Sequence, residues 1–230
     1  MKTGADAVFL DPPAPVEPEL LRWAIRGRDL APFRASPRRR LLFAHDAAGR
    51  PLGRLPPHAA AWLARHEAVL RARADYAGGP PWTVFRARAA VAPHRVVWPD
   101  LARQLSAAPL VGRQAAELVP LNTCYVIATT GERDALTLAA WLNATWLRAI
   151  AALVALPAAG GYRRFGAAAI GSLPLPPAAG CDHRLPRISV RMAAGDLLQH
   201  ELDAVTAELL GLDDDDRQAL AAAARAGDRR

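Results

Sequence analysis

Apolar positions in this chain come in short β-type runs in the first half and in longer helical runs in the second. Residues 7–10 read as a short strand that stops at Asp11-Pro12-Pro13, and residues 12–18 as a proline-rich extended lead-in. Residues 17–25 read as a short helix with Leu20, Leu21 and Trp23 packed inward. Arg38-Arg39-Arg40 then enters a buried strand at 41–44, and 46–49 is a turn. Pro56-Pro57 opens the clearest helix, which runs to about Ala74. Trp62, His66, Val69 and Arg73 share one side of it, while Glu67 and Arg71 stand four apart on the outer side.

Gly78-Gly79-Pro80-Pro81 breaks the chain before Trp82-Thr83-Val84-Phe85. Arg95-Val96-Val97-Trp98 and residues 123–129 read as further strands. Residues 134–156 read as one long apolar helix, ending near Pro157. A basic-aromatic loop follows at 160–166, then an extended Leu173-Pro174-Leu175-Pro176 segment. Residues 182–189 read as a linker and 190–210 as the last long helix. The acid run Asp213-Asp214-Asp215-Asp216 caps a short alanine-rich helix. The pattern predicts an α+β fold, with short strands around the helix after Pro57 and a helical group in the second half. Its expected division is a lead-in over 1–19, a main domain over 20–180, and a linker with packing helices over 181–230.

The apolar run at 135–157 is long enough to span a bilayer. An arginine such as Arg148 near its middle costs roughly 2.5–3.5 kcal/mol on insertion scales, so a buried core helix is the expectation, with no membrane. The N-terminus lacks the pattern of a signal peptide, and Cys124 and Cys181 lie far apart, so a cytoplasmic protein without disulfides is expected. Formal net charge is +7, and Lys2 is the only lysine. GC-rich codon usage accounts for the arginine bias, yet a basic surface still attracts polyanions. The guanidinium fork also suits phosphates and base edges.

The candidate binding residues are Arg26 and Arg28, which flank Gly27; the run Arg38, Arg39 and Arg40; and Tyr162, Arg163 and Arg164. Each has a bland alternative. Arg26 or Arg28 can pair with Asp29, whose expected role is to orient an arginine, and the 38–40 run can be a solvated turn. Trp82, Tyr125 and Trp141 read as core, and Asn122 and Asn143 as packing rather than base-contacting residues. Asp182, His183 and Cys181 are adjacent in sequence and make a poor metal-ligand set.

Several segments occur in a distinctive order. Leu20-Leu21-Arg22 precedes Arg26-Gly27-Arg28-Asp29-Leu30. The 56–74 helix with Leu63, His66, Leu70 and Arg73 comes next, followed by Pro81-Trp82, Val97-Trp98 and Leu121-Asn122-Thr123-Cys124-Tyr125. Leu138-Ala139-Ala140-Trp141-Leu142-Asn143-Ala144-Thr145, Gly161-Tyr162-Arg163-Arg164-Phe165 and Leu173-Pro174-Leu175-Pro176 complete the block. The ordered set, covering most of residues 7–220, resembles the C-terminal target-recognition region of TaqI-like N6-adenine DNA methyltransferases and of fused restriction–modification enzymes. The resemblance implies a module that grips double-stranded DNA and reads its sequence. It also implies a separate Rossmann-like catalytic domain that binds S-adenosylmethionine.

This chain carries no catalytic or cofactor-binding motif of that kind. Asp11-Pro12-Pro13-Ala14 lacks the aromatic residue that such a loop stacks on its base, and it reads as a plain proline turn. No glycine-rich loop follows a strand in a form suited to the cofactor. The expectation is therefore a DNA-binding target-recognition module with no cofactor of its own, working with a methyltransferase catalytic domain on another chain and inactive alone. Two alternatives stay open: a regulatory DNA-binding remnant no longer linked to methylation, and a helical protein-interaction domain.

Overall fold

Backbone pairing on both edges, rather than local helical spacing, decides the conformation of residues 21–25. In the computed structural model, which describes residues 5–84 and 87–228, they form a strand and not the expected helix. Residues 7–10 are corrected in the opposite sense. Asp6–Phe9 (α1) close one helical turn that buries Val8 and Phe9, and Leu10 makes only an isolated bridge to Leu41. A 3-10 turn at Pro18–Leu20 leads into Leu21–Ile25 (β1). After a second 3-10 turn, Leu30–Ala31 (β2) and Arg34–Ala35 (β3) form a hairpin, and Arg39–Leu42 (β4) follows. β1 pairs antiparallel with β4, so tertiary context overrides its local propensity. Trp23, expected inside, is 38% exposed.

The helix expected at 56–74 divides into Pro57–Arg65 (α2) and Glu67–Arg71 (α3). His66 leaves helical geometry between them, with its Nδ1 2.9 Å from the Trp62 carbonyl. Phe85, part of the stretch after the glycine–proline break, lies outside the described residues. Ala87–Ala90 (α4) precedes the expected strand Arg95–Pro99 (β5), after which come Leu101–Ala102 (β6) and Ala108–Leu110 (β7). Gly112–Ala115 (α5), Leu118–Pro120 (β8) and Cys124–Ala128 (β9) complete this region. β5 is buried throughout and central in the antiparallel order β7-β5-β9. β8 pairs parallel with β1, giving the order β4-β1-β8.

The long apolar helix is two helices, Glu132–Asn143 (α6) and Thr145–Val154 (α7), bent by 71° at Ala144. The bend is pinned on both sides. The Asn143 amide accepts from Ala107 N (2.9 Å) and donates to Ala107 O (2.7 Å). Asp203 caps α7 by accepting from Thr145 N (2.8 Å) and Thr145 Oγ1 (2.7 Å). Among the described residues, no single helix is long and apolar enough to cross a membrane. Leu156–Pro157 (β10) and Arg163–Arg164 (β11) then join β6 in the order β10-β11-β6, so the expected basic loop is partly strand.

Ala167–Gly171 (α8) and Pro177–Cys181 (α9) lead to Arg184–Ala194 (α10), where a linker was expected. The Asp182 carboxylate accepts from Arg184 N (2.7 Å) and Leu185 N (3.2 Å), starting the helix, and Leu185 and Ile188 are buried on its inner face. Gly195, at φ 115°, ends it, so the helix expected over 190–210 is broken before Gln199–Leu210 (α11). Asp214–Asp228 (α12) closes the chain, with Asp213 accepting from Asp216 N (2.8 Å) at its start. The architecture is α+β, with strands mostly in the first half and helices in the second. One core gathers Phe9, Leu42, Leu63 and Leu70; another gathers Trp98, Trp141, Phe165, Leu185 and Leu202.

His45 lies in the first core, stacked on Phe43, and its Nε2 accepts from Val84 N at 3.1 Å. Burial pushes its pKa down from 6.5 to about 4, against a weaker opposing pull from Asp46. The unfolded chain therefore takes up this proton at higher pH than the folded one. Stability from this group is complete above about pH 6.5 and is lost as pH falls toward 4. Chemical denaturation is expected to show a loss of roughly 2 kcal/mol between pH 7 and pH 5, and the His45→Gln variant should lose less over that interval. An identical pH profile for the variant would remove His45 as the cause.

Candidate nucleic-acid interface

Arg26 is the first residue after β1, and the next three residues turn the chain back through a 3-10 turn. The turn is closed by a fork. Arg26 Nε and Nη2 each lie 3.0 Å from the Asp29 carboxylate, which also accepts from Arg26 N at 2.9 Å. Burial alone would raise the Asp29 carboxyl, but these bonds outweigh it and hold it below the usual carboxylate range. Asp29 thus orients an arginine, as its spacing suggests. The consequence for Arg26 is that its fork is already filled, and Arg28 is the exposed guanidinium of the pair.

Gly27 is required here for space. A Cβ at this position would lie 3.0 Å from Thr123 O and 3.1 Å from Pro99 Cβ, and Gly27 N donates to Thr123 Oγ1 at 3.0 Å. That close approach seats the turn on the segment joining β5 to β6. Asp100, in the same segment, donates its N–H to Thr123 O (2.9 Å), and its own carbonyl accepts from Phe165 N (2.8 Å). The Asp100 carboxylate also binds the Arg164 guanidinium. Two segments far apart in sequence, 26–28 and 162–164, therefore meet around Asp100 and Thr123.

The third arginine run adjoins the other flank of the turn through Asp11. Asp11 accepts from Arg39 Nε and from Arg40 N, both at 2.6 Å; the Asp29 bond is the main cause that raises the pKa of Arg26, and the Asp11 charge adds to it in the same direction. Burial tends to raise the Asp11 carboxyl, but the Arg39 and Arg40 bonds bring it below its usual value. Asp11 is thus committed to arginines, and with Pro12, Leu21 and Arg40 it lines an open groove of about 380 Å³. Arg40 also lies over the exposed Trp23 ring, 4.4 Å from its centroid.

The result is a band of arginine side chains on three chain segments, with Asp11, Asp29 and Asp100 each bound to one of them. Arg28, Arg38 and Arg163 have no carboxylate within ion-pair distance among the described residues. Arg28, Arg38 and Arg164 are exposed, and Arg39, Arg40 and Arg163 are half-buried. Tyr162 is 44% exposed. Three members escaped the sequence reading: Arg103, whose guanidinium sits 5.7 Å from the Tyr162 ring centroid, and the organising residues Asp100 and Thr123. Alternation with Leu101 across a short strand was the only local signal for Arg103.

Of the remaining candidates, Trp82, Tyr125, Trp141 and Asn143 are structural. Trp141 is buried and donates to Pro174 O, Tyr125 stacks on Trp98 at 5.7 Å, and Trp82 donates to Leu52 O. Asn143 is fully buried, whereas Asn122 is exposed. Burial pushes the Cys124 thiol up to about 12, so it stays protonated at neutral pH. Among the described residues, no three His, Cys, Asp or Glu side chains are grouped to hold a metal ion. No family model matches the chain, and no curated protein matches it.

Proposed function

We propose that the chain is a DNA-binding target-recognition module that serves an adenine-N6 methyltransferase catalytic domain carried on another chain. The observation that carries the DNA-binding part is the convergence of segments 26–28, 38–40 and 162–164 into one arginine band. Arg28, Arg38 and Arg164 are its exposed guanidinium groups. Phosphates would be gripped by this band, and a subset of its forks would face base edges. The methyltransferase connection is supported by the ordered resemblance alone. S-adenosylmethionine would belong to the partner domain, because no residue cluster described above is suited to hold it.

Binding that rests on several phosphate contacts is steeply salt-dependent. Affinity for a duplex should fall on the order of a hundredfold between about 50 and 200 mM salt. Fluorescence anisotropy with a labelled duplex measures this. Arg28→Ala and Arg38→Ala should each weaken binding and flatten the salt slope by about one contact. Folded protein that binds no duplex at low salt would sink the proposal and favour a protein-interaction domain. Methyl incorporation by the chain alone would sink the division of labour.

A further inference from the structure

β10, β11 and β6 form a small antiparallel sheet in which Leu156, Arg164 and Leu101 stand directly opposite one another. Directly opposed residues project to the same face. Two residues along each strand, the same register brings Ala158, Tyr162 and Arg103 into the next row. Two contacts fit this extension: Ala158 N donates to Tyr162 O at 2.8 Å, and the Arg103 guanidinium lies 5.7 Å from the Tyr162 ring centroid.

This face is open. Leu156 is 67% exposed, Tyr162 44% and Leu101 42%, and Arg103 and Arg164 are also exposed. The intervening positions take the other side, where Ala102 packs on the core beneath. An aromatic ring therefore stands on an uncovered sheet between two arginines, with a leucine on each side of Arg164. Bonding to Asp100 holds Arg164 in place, so the ring's surroundings are fixed before any ligand arrives.

Resting on the DNA-binding reading above, the geometry points to this face as a stacking platform for one unpaired nucleobase of a DNA strand. Tyr162 supplies the π-face, and Arg103 against its ring adds a cation–π contribution. Arg164 is placed to meet the adjoining phosphate, and Leu101 and Leu156 shield the stack from water. Charge selects a nucleic acid strand over a protein as the occupant. The arginines on this face are Arg103 and Arg164, and the neighbouring carboxylate, Asp100, is already spent on Arg164. Bases inside an intact duplex present only their edges, so the ligand must carry a base outside the stack.

The test compares two labelled duplexes of one sequence, fully paired or carrying a single bulged 2-aminopurine, by anisotropy and by 2-aminopurine fluorescence. Wild-type protein should bind the bulged duplex roughly tenfold tighter and quench its fluorescence. Tyr162→Phe should keep the preference. Tyr162→Ala should lose both preference and quenching, so that the bulged and the paired duplex bind with equal affinity. Because Tyr162 is exposed, an unchanged thermal melt should accompany both variants. Equal wild-type affinity for the two duplexes overturns the platform, leaves the duplex-binding module standing, and assigns the face to a protein partner. A preference that survives Tyr162→Ala overturns it as well. Binding of the bulged duplex alone supports the platform and removes duplex recognition. Binding of neither overturns both.

Discussion

Replacing Arg95 with methionine is expected to destabilise the fold by several kcal/mol, more than any change in the arginine band. Arg95 is fully buried in β5, and no carboxylate lies within ion-pair distance of it among the described residues. Its guanidinium instead donates to three carbonyls: Ala92 O, Ala115 O at 2.7 Å and Leu118 O at 2.6 Å. Burial lowers its pKa to about 10, so it remains charged at neutral pH. Methionine relieves the desolvation of that charge, but it leaves three acceptors without their donor. At about 1–3 kcal/mol for each buried group left unsatisfied, the loss dominates and a net cost on the order of 3–5 kcal/mol is expected. Chemical denaturation measures it, and hydrogen exchange should show β8 loosening first. A variant as stable as wild type would mean that the three carbonyls find other donors.

Asn143→Leu is the second large effect, on the order of 1–3 kcal/mol for one buried donor left unsatisfied. The substitution keeps the side chain's size but leaves Ala107 N without its acceptor in the core, while Ala107 O loses one of two donors and keeps Phe33 N at 2.8 Å. A thermal melt monitored by circular dichroism gives the size. Duplex affinity of the folded variant at low temperature tells packing from base reading: packing predicts wild-type affinity. A stable variant that no longer binds DNA would reverse the assignment.

These two residues also mark how far the sequence was legible. β5 and β9 were readable because β-branched and aromatic residues crowd a short run, and the start of α12 because acids precede an alanine-rich stretch. The bend between α6 and α7 was not. The run from 135 to 156 carries no proline or glycine to mark a break, and the group that captures Asn143 is 36 residues away. β1 was misread for a similar reason, since its partners at 39–42 and 118–120 are invisible in its own five residues.

The candidate interface follows the same rule. Its arginines stand out in the sequence, and so does the Asp29 partner three residues from Arg26. The pairings of Asp11 with Arg39 and of Asp100 with Arg164 span 28 and 64 residues, and only the fold creates them. Which arginines face outward follows from those pairings and from strand parity, not from composition.

The parallel junction of β1 with β8 also fixes an order of events. Gly27 N needs Thr123 Oγ1, and Leu121 N closes onto Ile25 O at 2.8 Å, so contacts nearly a hundred residues apart complete the Arg26 turn. On a ribosome, residues 21–29 must wait for residues 118–123 to emerge before their strand gains its second neighbour. Until then Trp23, Ala24 and Ile25 form an unsatisfied edge, and nascent chains stalled before residue 118 should be the species that chaperones hold.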